Sequence, residues 1–308
     1  MFFMEKMKLI AIDWGTTNFR AFLLDEEGQI QNKHSAARGI AHLKATGFPT
    51  VLANELQSWL KQYPKIPVIM SGMIGSRQGW HEVPYCHCPI PLKNLAKHLY
   101  KISTDTTRTL AIVPGLAYQN SDKTCSDVMR GEETQILGAL IATEKKDAVI
   151  CLPGTHSKWA QIKENSLIEF TTYMTGELFA LLSTHSMLAK IMENSTEDEN
   201  TFKQGLAFAQ QSFGLSALLF NVRAQVLLGH IPSQAARSYL SGLLIGYEIA
   251  HNSTQQEIVL IADEKLAYWY GIAFDYLKRK YIKLDGEEIT AKGLFYIAQE
   301  AGLYRHYG

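Results

Sequence analysis

A short pattern occurs twice in the chain. The apolar run Lys8-Leu9-Ile10-Ala11-Ile12-Asp13-Trp14 leads into Gly15-Thr16-Thr17-Asn18 and returns as Phe19-Arg20-Ala21-Phe22-Leu23-Leu24-Asp25. Counted from Gly15 to Gly154, 139 positions later, the run 147–153 leads into Gly154-Thr155-His156-Ser157 and returns over 158–162. Short apolar runs bounded by Gly and polar residues read as strand, turn, strand. A β-turn-β unit that recurs predicts two lobes of one architecture, with a cleft between them as the natural site. Glu26-Glu27-Gly28 is a further turn and 29–36 a third strand, so the chain opens as a β-meander. The ordinary dinucleotide-binding opening, a strand feeding a helix through G-x-G-x-x-G, is excluded because that motif is absent.

The remaining pattern predicts a helix over 50–62, a buried strand at 67–71, a glycine-rich loop over 72–91, a helix over 92–101 and a strand at 109–113. The polar segment 117–126 reads as a crossover between lobes. It leads to a helix that begins at Ser126-Asp127, since Ser and Asp are good N-caps and Ile136, Leu137, Leu140 and Ile141 supply an apolar stripe. Strands follow at 147–153, 158–162 and 166–174, then helices over 175–192, 201–213, 215–229 and 232–252, with 193–200 as a solvated loop. A strand at 257–261, a helix over 264–280, a short strand at 281–284 and a helix over 287–300 complete the chain. The expected class is α/β, with an N-terminal lobe 1–125 and a C-terminal lobe 126–308 that carries a helical insertion around 175–230.

Composition narrows the function. Of 308 residues 46% are hydrophobic and 19% charged, and Gly and Pro together number 31 (22 and 9), which excludes disordered, collagen-like and fibrous classes. Thirty Lys and Arg balance thirty Asp and Glu, so the excess of positive charge that nucleic acid or an anionic membrane requires is missing, and a small-molecule partner is expected. Four irregularly spaced cysteines fit a reducing cytoplasm better than a disulfide framework. Residues 1–8 contain no sustained apolar run, and no stretch reaches the ~18 apolar residues of a membrane span, so a soluble, untargeted protein is expected. Composition leaves a homo-oligomer open.

The two turns have the chemistry of phosphate sites. Glycine lets the backbone approach a phosphate chain, the hydroxyls of Thr16 and Thr17 and the turn N–H groups can donate to its oxygens, and Asp13 at the strand end can orient water on Mg²⁺. The bland alternative is a polar hairpin whose Asp caps its own turn. Gly154, Thr155, His156, Ser157 and Lys158 repeat the same donors with an imidazole and an ammonium added. Leu152-Pro153-Gly154-Thr155-His156-Ser157-Lys158-Trp159, Ser71-Gly72-Met73-Ile74-Gly75-Ser76-Arg77-Gln78-Gly79-Trp80, Asp127-Val128-Met129-Arg130-Gly131-Glu132-Glu133-Thr134-Gln135, Met174-Thr175-Gly176-Glu177 and Ser241-Gly242-Leu243-Leu244-Ile245-Gly246-Tyr247-Glu248 extend the pattern. With them the chain resembles the 2-dehydro-3-deoxygalactonokinases, sugar-acid kinases of the actin-like and hexokinase-like superfamily.

That resemblance implies two RNase H-like lobes around a nucleotide cleft. It also implies transfer of the γ-phosphate of ATP, with Mg²⁺, to the 6-hydroxyl of 2-dehydro-3-deoxygalactonate in galactonate degradation. In the superfamily the two turns hold the nucleotide phosphates, and an Asp at the start of the interlobe helix accepts the sugar hydroxyl proton; Asp127 matches that place. Glu132 and Glu133 either reach the same cleft or face solvent. Arg77, with Ser76 and Gln78 in the glycine-rich loop, is the leading ligand for the substrate carboxylate because a guanidinium matches a carboxylate fork, with Arg130 and Arg20 as competitors. Trp80 lines the sugar pocket or packs its own loop. Cys86-His87-Cys88 lacks a second pair at zinc spacing and is not read as a metal site. The superfamily usually places a glycine after the strand that reaches the adenosine; Ala262 stands there, which puts ATP preference in question. A kinase for another sugar acid, such as 2-dehydro-3-deoxygluconate, and a sensor that binds without turnover are the alternatives.

Overall fold

The computed structural model describes residues 8–43, 47–103, 108–192, 194–252 and 254–303; the expectations for residues 1–7 and for Glu193 lie outside them. The opening meander is β1 (Leu9–Trp14), β2 (Phe19–Leu24) and β3 (Ile30–Ala36). Its strands pair antiparallel, with Asp13 opposite Arg20. β1 also lies parallel to β4 (Val68–Ser71), and β4 lies parallel to β8 (Leu110–Ile112), while β7 (Tyr100–Ile102) runs antiparallel at the edge. The order is β3-β2-β1-β4-β8-β7. β1 and β4 are covered on both faces, which is why they read as continuous apolar runs rather than alternations.

The second sheet repeats that order. β11 (Ala148–Leu152), β12 (Ser157–Lys163), β13 (Ser166–Tyr173), β14 (Ile258–Ala262) and β15 (Tyr281–Asp285) lie in the order β15-β14-β11-β12-β13, with β6 (Ile90–Pro91) added at the edge. In each sheet the first strand is central, the next two fold back from it, and the fourth returns parallel to it. By sequence the division falls at 125/126. By contact, the described residues up to Asp147, with 161–170 and those from Leu284 on, form one compact unit, and 148–160 with 171–283 form the other.

In the first unit α1 (Phe48–Glu55) and α2 (Gln57–Gln62) cover the sheet with Phe48, Leu52, Leu56 and Trp59. The single helix expected over 50–62 is broken at Leu56, which leaves helical geometry at φ −111°. The stretch 92–101 is a 3₁₀ helix, Leu92–His98, followed by β7 rather than an α-helix. A small sheet of β5 (Cys86–His87), β9 (Leu116–Gln119) and β10 (Ser126–Met129) occupies the segment expected to be a crossover. The polar residues that suggested that crossover build its turn: Asn120 Oδ1 accepts from the N–H of Cys125 and Asp122 Oδ1 from that of Thr124. α3 (Glu132–Thr143) packs on α9 (Gly286–Glu300) at backbone contact, because a Cβ on Gly138 would overlap the Ile289 carbonyl oxygen and one on Gly293 that of Thr134.

The second unit is rich in helices: α4 (Thr175–Thr184), α5 (Glu199–Phe208), α6 (Leu215–Leu227), α7 (Ala236–Ala250) and α8 (Glu264–Tyr276). α4 stops earlier than expected and a 3₁₀ turn, Ala189–Ile191, takes over before the loop. Among the described residues no helix is long and apolar enough to cross a membrane. The helix crossing in the first unit yields a direct test. Gly138→Leu is expected to lower unfolding stability in urea by about 3 kcal/mol, as overpacking at an unyielding backbone does, and an unchanged midpoint would contradict the crossing.

Candidate active site

The first turn is fixed from behind. Trp14 is wholly buried, edge-on to Phe19 and Phe48, and its Nε1 donates to the Arg38 carbonyl at 2.8 Å. Gly15 N–H closes the turn on the Asn18 carbonyl at 2.9 Å. The N–H groups of Gly39, Ile40 and Ala41 then donate to the carbonyls of Thr17, Gly15 and Thr16 at 2.9–3.0 Å. This requires glycine at 39, where a Cβ would overlap the turn backbone. Three carbonyls are thereby turned away from the exposed face of Thr16, Thr17 and Asn18, which is the polarity an anion needs. Gly39 carries no sequence signal beyond being a glycine; its role exists only once the loop has docked.

Asp13 ends β1 beside this turn. Arg20 Nε lies 3.5 Å from its Oδ2, yet burial, with Glu132 and Glu287 nearby, holds the carboxyl above its usual range. Gly72, at φ +90°, and Gly131, at φ +112°, close in: a Cβ on Gly72 would stand 3.1 Å from Asp13 Oδ1, and one on Gly131 3.2 Å from the Gly72 Cα. Arg20 pairs with Asp13 and Lys33 with Glu287 at 2.9 Å, so of the three acids that act on one another here Glu132 adds negative charge beyond these two pairs, and a carboxylate at a turn of phosphate donors suits a divalent cation. Among the described residues no three His, Cys, Asp or Glu side chains form a metal cage, and Mg²⁺ is characteristically held by one or two carboxylates with water and phosphate.

The helix expected to start at Asp127 starts instead at Glu132. Asp127 lies on β10 opposite Tyr118, half-buried, because pairing with β9 satisfies the backbone and buries Met129 against Leu116. Gly131 is the helix N-cap, and the first-turn side chains reach back in its place: Glu132 Oε2 accepts from the N–H of Arg130 at 3.0 Å and Glu133 Oε2 from that of Gly131 at 2.6 Å. Arg77 and Gln78 are exposed, Ser76 is buried, and Trp80 is half-buried and stacked on Phe48 at 6.4 Å, so it packs its loop against the first core. Arg130 lies over the Tyr85 ring at 4.2 Å and donates through Nη2 to the Val83 carbonyl at 2.8 Å.

The second turn is tied back in the same manner. The N–H of Glu177 donates to the Thr155 carbonyl at 2.9 Å, and the α4 backbone comes this close because a Cβ on Gly176 would overlap the Gly154 carbonyl. Thr155 and His156 are exposed, and His156 Nε2 sits 2.5 Å from Glu177 Oε2. Ser157 and Lys158, by contrast, are buried on β12. The Ser157 hydroxyl donates to Glu248 Oε1 at 2.7 Å, as does Trp159 Nε1 at 2.8 Å, and Glu248 Oε2 accepts from Tyr270 at 2.9 Å and from Thr175. Burial pushes the Glu248 carboxyl upward while these four donors pull it down, and burial prevails. Thr175 and Glu248 were visible only as parts of the resemblance strings, without a role.

A cavity of about 440 Å³ opens beside Gly154, lined by Gly176, Phe179, Arg237, Leu266 and Trp269 among others. Arg237 lies over the Phe179 ring at 5.1 Å. β14 ends at buried Ala262, and the next residue, Asp263, caps α8 by accepting from the N–H of Leu266 at 2.9 Å and lines the cavity.

Two sheets of one strand order, each with a glycine-threonine turn after its first strand, are the architecture of the actin-like ATPase fold. The activator of 2-hydroxyisocaproyl-CoA dehydratase from Clostridium difficile, solved with ADPNP, shares that fold at 12% identity (TM-score 0.51, 97% of each chain). The family model for 2-keto-3-deoxy-galactonokinase matches residues 13–297. A "probable 2-dehydro-3-deoxygalactonokinase" of Rhizobium meliloti (strain 1021) is 34% identical over 292 residues, 92% of this chain and 94% of the relative. The 2-dehydro-3-deoxygalactonokinase of Escherichia coli (strain K12) is 33% identical over 295 residues, 94% and 97%. A crystal structure from Sinorhizobium meliloti described under the same enzyme name superposes with a TM-score of 0.87 at 33% identity, over 94% of this chain and 98% of that one. The chain belongs to the 2-keto-3-deoxy-galactonokinase family.

Removing the carboxylate at the centre of the second unit leaves four buried donors without an acceptor. Glu248→Ala is expected to cost on the order of 3 kcal/mol or more in urea unfolding, since each buried unsatisfied group costs about 1–3 kcal/mol. A loss no larger than that of a surface alanine would contradict the network.

Proposed function

We propose that this chain transfers the γ-phosphate of ATP to the 6-hydroxyl of 2-dehydro-3-deoxygalactonate, as a step of galactonate breakdown in the cytoplasm. One observation carries the reading: in a chain of this family, two glycine-threonine turns in sheets of the same order both have threonine carbonyls tied back by N–H groups of a following segment. The four unpaired thiols are compatible with that reducing compartment.

Phosphoryl transfer needs positioned donors and offset charge more than covalent help. Gly15, Thr16, Thr17 and Asn18 in one unit, and Gly154, Thr155 and His156 in the other, are the proposed phosphate donors. Ser157 is assigned to Glu248 instead, and Lys158 to the interior of β12. The cavity beside Gly154 suits the nucleoside: Phe179, Leu266 and Trp269 offer apolar faces for a base, and Arg237 and Lys265 offer charge. Asp13 is the proposed Mg²⁺ residue, through water, with Glu132 adding to the local negative charge. When bound, the ion neutralises charge on the phosphate oxygens.

The acid that opens α3 is Glu132, near enough to Asp13 to raise its pKa, so Glu132 is the proposed acceptor of the 6-hydroxyl proton. Asp127 is the second reading, favoured by its half-buried carboxylate four residues before the cap Gly131. For the substrate carboxylate, Arg77 and Arg130 are the candidates.

The test is ADP release with Mg²⁺ on 2-dehydro-3-deoxygalactonate and on its gluconate epimer, for the wild type, Glu132→Gln and Asp127→Asn. The wild type is expected to turn over the galactonate compound faster than the epimer. The base variant should lose ~10²–10⁴ in kcat with little change in KM for ATP, and that variant is expected to be Glu132→Gln. Sugar-acid binding without ADP release would favour a sensor, and a preference for the epimer would reassign the substrate.

A further inference from the structure

Most buried polar side chains in the first unit have partners, but a few adjoining ones do not. Ser76 Oγ, Arg130 Nε and Nη1, and Glu133 Oε1 are buried with no hydrogen-bond partner. Ser76 is 9% exposed and Glu133 is 0% exposed. They belong to one neighbourhood. A Cβ on Gly75, the residue before Ser76, would stand 2.9 Å from Arg130 Nη1, and Arg130 is close enough to Glu133 to act on its charge. Arg130 is held still by Tyr85 beneath its guanidinium and by the Val83 carbonyl on Nη2. A fixed guanidinium with two unmatched nitrogens inside a folded unit is costly unless something occupies it in use.

We infer that Ser76, Arg130 and Glu133 form the socket for the α-keto carboxylate end of the sugar acid, with Glu133 acting as a neutral acid. The inference rests on the sugar-acid kinase reading and deepens it. The α-keto carboxylate end offers only acceptor oxygens, two on the carboxylate and one on the ketone. The unmatched groups are correspondingly donors: two on the guanidinium, one on the Ser76 hydroxyl, and one on Glu133 when it holds its proton. Nε and Nη1 lie on different edges of the guanidinium, so they suit two separate acceptors rather than the fork of one carboxylate.

The state of Glu133 follows from its surroundings. Burial, and next Glu132, raise its pKa to about 8, against the pull of its backbone hydrogen bonds and of Arg130. From the small sheet Cys86 also faces it, its thiol pushed up by burial and by Glu133. Glu133 therefore carries its proton below about pH 8 and loses it as pH rises through that value. An ionised Glu133 would repel the substrate carboxylate, so the binding-competent form is the one present at lower pH. This assigns Glu132 and Glu133, neighbours in one helical turn, to different tasks, the proton acceptor and the substrate socket.

The test is the pH dependence of kcat/KM for 2-dehydro-3-deoxygalactonate at saturating ATP, in wild type, Glu133→Gln and Ser76→Ala. For the wild type kcat/KM is expected to fall about tenfold per pH unit above the Glu133 pKa. Glu133→Gln, whose amide donates at every pH, should raise KM for the sugar acid yet show no such fall. Ser76→Ala should raise that KM about tenfold, with KM for ATP unchanged, through loss of one charge-assisted hydrogen bond. KM for ATP in each variant reports that it has folded. A wild-type profile that stays flat to about pH 9, or a Glu133→Gln enzyme that loses kcat with KM for the sugar acid unchanged, would overturn the socket while leaving the kinase reading intact. Absence of turnover in the wild type would overturn both.

Discussion

One buried carboxylate organises the second unit. Glu248 of α7 receives hydrogen bonds from Ser157 and Trp159 of β12, Thr175 of α4 and Tyr270 of α8, so four elements share one acceptor. A carboxylate this deep is unfavourable alone; with four donors it becomes a fixed reference point to which each element must return. The second glycine-threonine turn leaves β11 and enters β12 within three residues of Ser157, and α4, whose N–H holds the Thr155 carbonyl, begins at Thr175. The position of that turn is thus a consequence of where Glu248 lies. Tyr270 and Thr175 also line the cavity, so one network shapes both the wall of the cavity and the turn at its mouth.

The first unit reaches the same turn geometry by other means. There the fastener is backbone on backbone, Gly39 against Thr16 and Thr17, with Trp14 as the anchor beneath. Its polar interior is also of a different character. Around Glu248 every side chain named has a partner, and the network reads as structural. Around Arg130 and Glu133 donors and acceptors remain unmatched, and burial with Glu132 nearby holds the Asp13 carboxyl above its usual range. Satisfied polar groups hold a fold together, whereas adjoining unsatisfied ones need a further partner, and the proposed partner here is the sugar acid. The two units thus differ in their polar interiors on one strand plan.

That plan was legible in the sequence because it is written in local features: apolar runs of strand length and a glycine-threonine turn repeated at a fixed offset. Both meanders, the strands that became β4 and β14 and the helix-rich later half follow from it; the parallel pairing of those two strands with β1 and β11 is seen only in the fold. The helix expected from Ser126-Asp127 starts later for a clear reason. Ser126-Asp127 ahead of an apolar stripe has the cap chemistry of a helix start, but pairing with β9 is a long-range contact that no local rule carries, and the helix waits for Gly131 and Glu132. Ser157 and Lys158 lie deeper than a turn implies for a related reason. They belong to the turn by sequence and to the interior by fold, since β12 begins at Ser157 and is covered on both faces there. Gly39, Gly72 and Gly131 act by letting distant backbones approach, and Glu248 by gathering distant donors. Such roles become visible only in three dimensions.

The proposed reaction places the phosphate of ATP on the 6-hydroxyl, at one end of the sugar acid. Phosphorus-31 NMR of the product formed from ATP and 2-dehydro-3-deoxygalactonate tests this directly, because coupling to neighbouring protons identifies the carbon that bears the new phosphate. A phosphate ester coupled to the C6 methylene protons is the predicted result. An ester on a secondary hydroxyl, or release of inorganic phosphate with the sugar acid unchanged, would contradict the account.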